Sequence, residues 1–175
     1  MKSALDEKEL LTYLEEARRG ISSYLTKNKK KIRPEILVSA EKKVPKNLEK
    51  WLLDEQVHRL SPGTREGIIR AIRQKQWARI IDAFIDDIAF GTGGIRGVAA
   101  FAAKDDESEL ERLYQEGIQA PILKGPNTIN DIVLMIKSTG VAQYAAQHGL
   151  HKMVIGYDSR IQGQAFAELI AKIFL

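Results

Sequence analysis

Residues 90–97, "FGTGGIRG", hold four glycines, Gly91, Gly93, Gly94 and Gly97, with Arg96 among them. Each glycine weakens a helix or strand by roughly 0.5–1 kcal/mol relative to alanine, so four together point to a task for the backbone itself. One such task is to bring N–H groups close to an anion, with the planar guanidinium of Arg96 adding a bidentate charge. An ordinary glycine-rich turn is the plainer reading of the same residues. Further along, "GYDSR" at 156–160 sets a carboxylate and a guanidinium, Asp158 and Arg160, just past an apolar run. Asp82, Asp86 and Asp87 precede the glycines, but no further ligand lies nearby and a charged outer face accounts for them. His148 and His151 are separated by a helix end and His58 stands alone, which argues against shared zinc coordination. There is no Ser–His–Asp pattern and no Walker loop.

The elements that must position these residues are mostly helical. Leu10, Leu11, Leu14 and Ala17 recur at helical spacing over 5–26, and Asp6 followed by Glu9 offers a cap. The basic run "KNKKKIRPE" lacks interleaved aromatics and reads as a solvated linker rather than a nucleic-acid site. Helix resumes at Asn47, carrying Leu48, Trp51, Leu52 and Leu53. Ser61 as cap and Pro62 as first helical residue then open a helix with apolar positions from Ile68 to Ile88. After the glycines, "IRGVAAF" is β-permissive, and 104–116 reads as a short acidic helix or an exposed insertion. "QAPILKGPN" is extended, and Thr128 with Asp131 resembles a capping box for a helix over 129–148. A short apolar strand over 152–157 and a helix over 164–174, with Phe166, Leu169, Ile170 and Ile173 on one face, complete the chain. This αβα run argues for an α/β fold, in which ligands meet loops beyond the carboxyl ends of strands. The "GYDSR" stretch has that address.

Composition bounds the function. The 175 residues are 44% apolar, enough for a core, and contain no cysteine. Disulfides, thiolate catalysis and cysteine-based metal sites are therefore excluded. Charge is uneven: residues 1–75 carry a net +7 and residues 76–175 a net −3. No secretory signal and no apolar run long enough to span a membrane is present, so a cytoplasmic protein without membrane contact is expected. The expected division is a helical, basic extension at 1–46, a helical lead-in at 47–89 and an α/β unit at 90–175.

Three features stand in order: "FGTGGIRG" at 90–97, "GPNTIND" at 125–131 and "VIGYDSR" at 154–160. Together they resemble the N-terminal domain of the α-D-phosphohexomutase superfamily, which includes phosphoglucomutases and phosphomannomutases. The likeness covers residues 47–101 and 125–175, and the upstream helices look like the extension of the phosphoglucomutase-2-like branch. Two departures stand out. Residues 102–124 are longer and more acidic than the usual link, and "NTIN" replaces the branch's Asn-Arg-Met-Asn.

The resemblance implies a helical extension followed by an incomplete first domain of that type, a mixed or parallel sheet with helices. It places Thr92, Gly93, Gly94 and Arg96 at the rim of an active cleft, with Arg96 facing phosphoryl oxygens. Asp158 and Arg160 would order the neighbouring loop. Complete enzymes of the family interconvert hexose 1-phosphates and 6-phosphates through a phosphoserine, magnesium and a bisphosphorylated sugar. The chain corresponds to an N-terminal portion without the nucleophilic-serine and magnesium loops. No catalytic residue or metal ligand is therefore assigned within it, and neither Ser138 nor Ser159 occupies such a loop. Mg²⁺ and the bisphosphorylated hexose are expected of the complete enzyme, and the fragment is expected to be inactive alone. Its partners would be a hexose phosphate in the complete enzyme, and the missing C-terminal part or a second copy for the fragment. The alternative is a non-catalytic binding or regulatory module built on the same half-domain.

Overall fold

The computed structural model describes residues 6–91, 94–100 and 107–175. Helix α1 (Glu7–Asn28) starts with a reciprocal cap. Asp6 Oδ1 accepts from the Glu9 N–H at 2.8 Å, and Glu9 Oε2 accepts from the Asp6 N–H at 3.2 Å. Its buried face is Leu10, Leu14, Ala17, Ile21 and Leu25, the stripe that a period of 3.6 dictates.

Helix α2 (Pro34–Leu53) begins well before the expected Asn47, with Pro34 at the first helical position. The basic run is therefore a short, solvated connection between α1 and α2, with Lys29, Lys30, Lys31 and Arg33 exposed. Pro45 lies inside α2, where a proline costs about 3 kcal/mol. Ala40, Val44, Leu48, Trp51 and Leu52 are buried around it. The larger of these contribute about 1.5–3 kcal/mol each, which outweighs the break. The expected boundary at 46/47 falls within this helix, so the extension and the lead-in form one packing unit.

Helices α3 (Glu55–Leu60), α4 (Gly63–Arg73) and α5 (Trp77–Phe84) follow. The single helix expected from Ser61 to Ile88 is broken at Lys75, whose φ of 54° lies in the left-handed region. The break turns α5 back onto α1 and α2, burying Ile80, Ile81 and Phe84. The Phe84 ring meets Trp51 edge-on, centroids 6.1 Å apart. Arg65 ties α4 to the end of α2, donating to Leu52 O at 3.0 Å and to Glu55 Oε1 at 2.8 Å. One core cluster thus runs through all five helices and also takes in Leu123, Ile132 and Val133.

The rest is built from very short strands and three helices. Strands β1 (Phe90–Gly91) and β2 (Gly94–Ile95) pair antiparallel, Gly91 opposite Gly94. Strands β3 (Val98–Ala99) and β4 (Thr128–Ile129) pair parallel, Val98 opposite Thr128. The strand expected from "IRGVAAF" is thus two fragments. Helix α6 (Glu107–Glu116) and a 3-10 turn (Gly117–Gln119) lead to α7 (Asp131–Gln147) and α8 (Gly163–Phe174), which pack together. Of the two readings of 104–116, the short acidic helix holds for the described residues 107–116, and it is docked: Glu109 and Leu113 are buried, and Leu113 joins Ala100, Ala120 and Ile122 in a second small core. The segment after the 3-10 turn lies directly on α4. A Cβ at Gly63 or Gly67, one turn apart, would collide with the carbonyls of Gln119 and Ile122.

Two further expectations are corrected. Asn130, not Thr128, caps α7, its Oδ1 accepting from the Val133 N–H at 3.0 Å. Residues 152–157 are not a strand. They run unpaired across the surface with Val154 94% exposed. An apolar run becomes a strand only where a neighbouring edge supplies its hydrogen bonds, and the two-residue ladder β3–β4 is not bonded to it. The class is a mostly helical chain with a small parallel pair of strands, loosely α/β.

Candidate anion-binding cleft

The glycine segment is shaped by backbone freedom. Gly94 has φ +120°, a conformation that L side chains rarely adopt. Pairing of Gly91 with Gly94 folds the chain back at this point. Thr92 and Gly93, two of the expected phosphate-binding residues, lie outside the described residues. Arg96 follows β2 directly, is exposed, and forms no ion pair with any described residue.

The "GYDSR" turn is equally local. Arg160 Nε lies 3.0 Å from both Asp158 oxygens, and the Arg160 N–H donates to Asp158 Oδ1 at 3.2 Å. The Arg160 hydrogen bonds hold the Asp158 carboxyl below the usual carboxylate range, and the carboxylate in turn raises Arg160. Arg160 O accepts from the Gly163 N–H at 2.9 Å, and Gln162 adopts a left-handed φ of 63°, which feeds the turn into α8. Both side chains are well exposed, so the pair contributes little to stability. Among the described residues only Nε of the guanidinium is used, which leaves the two Nη groups of Arg160 for a ligand.

A cleft of about 940 Å³ brings the two stretches together. Ile95, Ala99 and Ile129, from β2, β3 and β4, line one side, Phe166 and Ile170 of α8 line another, and residues 155–161 form the rim. The lining is mainly apolar, with Asp158 and Arg160 as its charges. Arg96 follows Ile95 in the chain but is not itself a lining residue. Such a cleft suits a ligand with a hydrophobic or sugar-ring body and an anionic end.

The third motif does something the sequence did not reveal. The last turn of α5 leaves carbonyls without helical partners. Asn127 Nδ2 donates to Asp82 O at 2.8 Å, the Asn127 N–H to Ala83 O at 3.0 Å, and Asn47 Nδ2 to Phe84 O at 2.8 Å. Asn127 is therefore a C-cap in trans. Ile88 N–H donates to Pro126 O at 2.9 Å and Ala100 N–H to Ile129 O at 3.1 Å, which fixes the chain on both sides of the glycines.

Sequence reasoning also missed two buried charge clusters. Lys124 and Asp131 are both 1% exposed, with Nζ 3.0 Å from Asp131 Oδ1. Neither Asp131 oxygen receives a well-directed hydrogen bond, so charge holds the pair. Lys124 Nζ also donates to Ser61 Oγ at 2.9 Å and Ile118 O at 2.7 Å. Ser61, expected as a helix cap, is thus spent on Lys124. Burial lowers the lysine below its ordinary range, opposed by Asp131. In the second cluster Arg79 pairs with buried Glu109, whose other oxygen accepts the Leu123 N–H at 2.9 Å. No local signal in the sequence marks either cluster.

Ser138 is buried within α7 and Ser159 is exposed in the turn. Among the described residues no three His, Asp or Glu side chains converge on a point. No described helix is long and apolar enough to cross a membrane. Compared with known proteins, the chain matches no family model, no curated protein and no solved structure.

Proposed function

We propose that this chain is the N-terminal, phosphate-contacting portion of a phosphohexomutase-type phosphotransferase that interconverts hexose 1-phosphates and 6-phosphates. One observation carries the reading: two motifs more than fifty residues apart, the glycine segment and the "GYDSR" turn, meet at one cleft. Chance turns have no reason to share a wall. Within that cleft the chain supplies one guanidinium group, one orienting carboxylate and an apolar floor, and Arg96 follows the lining residue Ile95 in the chain. A rigid fork of donors suits the spread negative charge of a phosphoryl group. Asp158 would hold the Arg160 plane while its Nη groups meet phosphoryl oxygens. Arg96, at the end of β2 and without an ion pair to any described residue, would supply a second fork. Ile95, Ala99 and Ile129 would exclude water beneath the sugar.

The chemistry proper belongs to the complete enzyme. There a phosphoserine and Mg²⁺ carry the transfer through a bisphosphorylated hexose, and this chain binds and orients. Titration calorimetry with glucose 1-phosphate and mannose 1-phosphate tests the binding role. Saturable binding that weakens at least ~10-fold in both Arg96→Gln and Arg160→Gln is expected, since a charge-assisted contact is worth about 1.5–3 kcal/mol. Binding unaffected by either substitution would contradict the reading.

A further inference from the structure

We infer that Lys124 is a positioning residue for the cleft, a buried pin that sets where the β3–β4 pair sits relative to the five-helix core. Its ammonium joins three otherwise separate pieces: Ser61 at the α3–α4 junction, Ile118 in the 3-10 turn, and Asp131 in the first turn of α7. A stability role alone does not explain this choice. A buried ion pair is often matched or bettered by apolar residues of equal volume, because desolvation offsets the attraction. What apolar residues do not supply is direction: the hydrogen bonds to Ser61 Oγ and Ile118 O and the ion pair with Asp131 together fix the ammonium at one point.

The consequence follows along the chain. The residue after Lys124 is Gly125, whose carbonyl accepts from Thr128 Oγ1 at 3.0 Å and Asn130 Nδ2 at 2.9 Å. Asn130 Nδ2 also reaches Thr128 O at 3.0 Å. Residues 125–130 therefore behave as one hydrogen-bonded block, held by Lys124 at its leading edge and Asp131 at its trailing edge. That block carries β4, which carries β3, which follows Arg96 and Gly97. The N-terminal end of α7 favours the Asp131 carboxylate, so the counter-charge stays in place. A serine beside a lysine also matches the make-up of a nucleophile and its base. Ser61 and Lys124 are 0% and 1% exposed, however, which leaves no route for a substrate.

The inference rests on the proposed function only in naming the cleft as the site; its test needs no ligand. Hydrogen exchange is compared across the whole chain for wild type, Lys124→Met and the double variant Lys124→Met/Asp131→Leu. Lys124→Met strands a buried carboxylate and is expected to lower the melting temperature. The double variant removes both charges and is expected to melt near wild type. In the double variant the amides of 98–100 and 125–133 should still exchange at least ~10-fold faster, while those of α1 and α2 stay unchanged, because opening is local. If Lys124→Met does not fold, the double variant carries the test alone. A double variant that recovers both its melting temperature and its protection at 98–100 and 125–133 would overturn the assignment, as would uniformly faster exchange. A wild-type chain that binds no hexose phosphate would sink the functional reading and leave this comparison intact.

Discussion

Arg160 and Asp158 are the charges of the cleft, and Arg96 follows its lining residue Ile95 in the chain. Asp158 has its folded pKa depressed by Arg160. The ordering that this pair gives the turn is complete above the unfolded carboxylate pKa and is lost as pH falls through the lower folded value. NMR titration of the Asp158 carboxyl should therefore show a midpoint below the ordinary aspartate range, returning to that range in Arg160→Gln. An ordinary midpoint in wild type would mean that the pair does not persist in solution. Arg96 is exposed and makes no ion pair with a described residue, so its substitution breaks no described ion pair. In the complete enzyme Arg96→Lys should cost 2–4 kcal/mol of transition-state stabilisation, because lysine keeps the charge but loses the fork, with thermal melting unchanged. Wild-type turnover in that variant would remove Arg96 from the mechanism. Both arginines were legible as candidates in the sequence. The buried Lys124 was not, since a lysine inside "PILKGPN" carries no local sign that Ser61 and Asp131 will reach it.

At the scale of the element, what the sequence revealed depended on whether the deciding interaction was local. The Asp6–Glu9 cap of α1 lies within one turn and was readable. The start of α2 was hidden because Pro34 reads equally as a stop or a first helical residue, and because Pro45 argues against the helix that burial enforces. The α4–α5 break turns on a lysine in a left-handed conformation, which no residue type announces. The apolar run at 152–157 looked like a strand because hydrophobicity is local, whereas the edge it needs is not. Glycines divide in the same way. Gly67 lies under the Ile122 carbonyl, so Gly67→Ala should destabilise by about 1–3 kcal/mol, the usual cost of overpacking. Gly140, exposed in the middle of α7, has nothing within 4 Å of its missing Cβ. Gly140→Ala should stabilise by about 0.4–1 kcal/mol through the unfolded chain. Denaturant unfolding of the two variants checks both signs, and equal effects would contradict the close approach on α4.

For the whole molecule the balance is uneven. Five helices share one continuous core, while the unit that lines the cleft rests on two two-residue ladders and a pair of helices. Tyr144, Leu150, Met153, Val154 and Tyr157 are all exposed within residues 144–157, apolar surface of the kind that drives association. Sedimentation velocity over a range of concentrations should show reversible self-association, weakened by Val154→Lys. A strictly monomeric chain would show that this surface is tolerated as it stands. The central claim, that distant motifs form one phosphate-contacting cleft, is tested most directly by NMR titration of the labelled chain with glucose 1-phosphate. The amides of 94–100 and 156–163 should shift together along one binding curve, with residues 27–33 still. Shifts confined to the basic turn at 27–33, or separate curves for the two motifs, would contradict it.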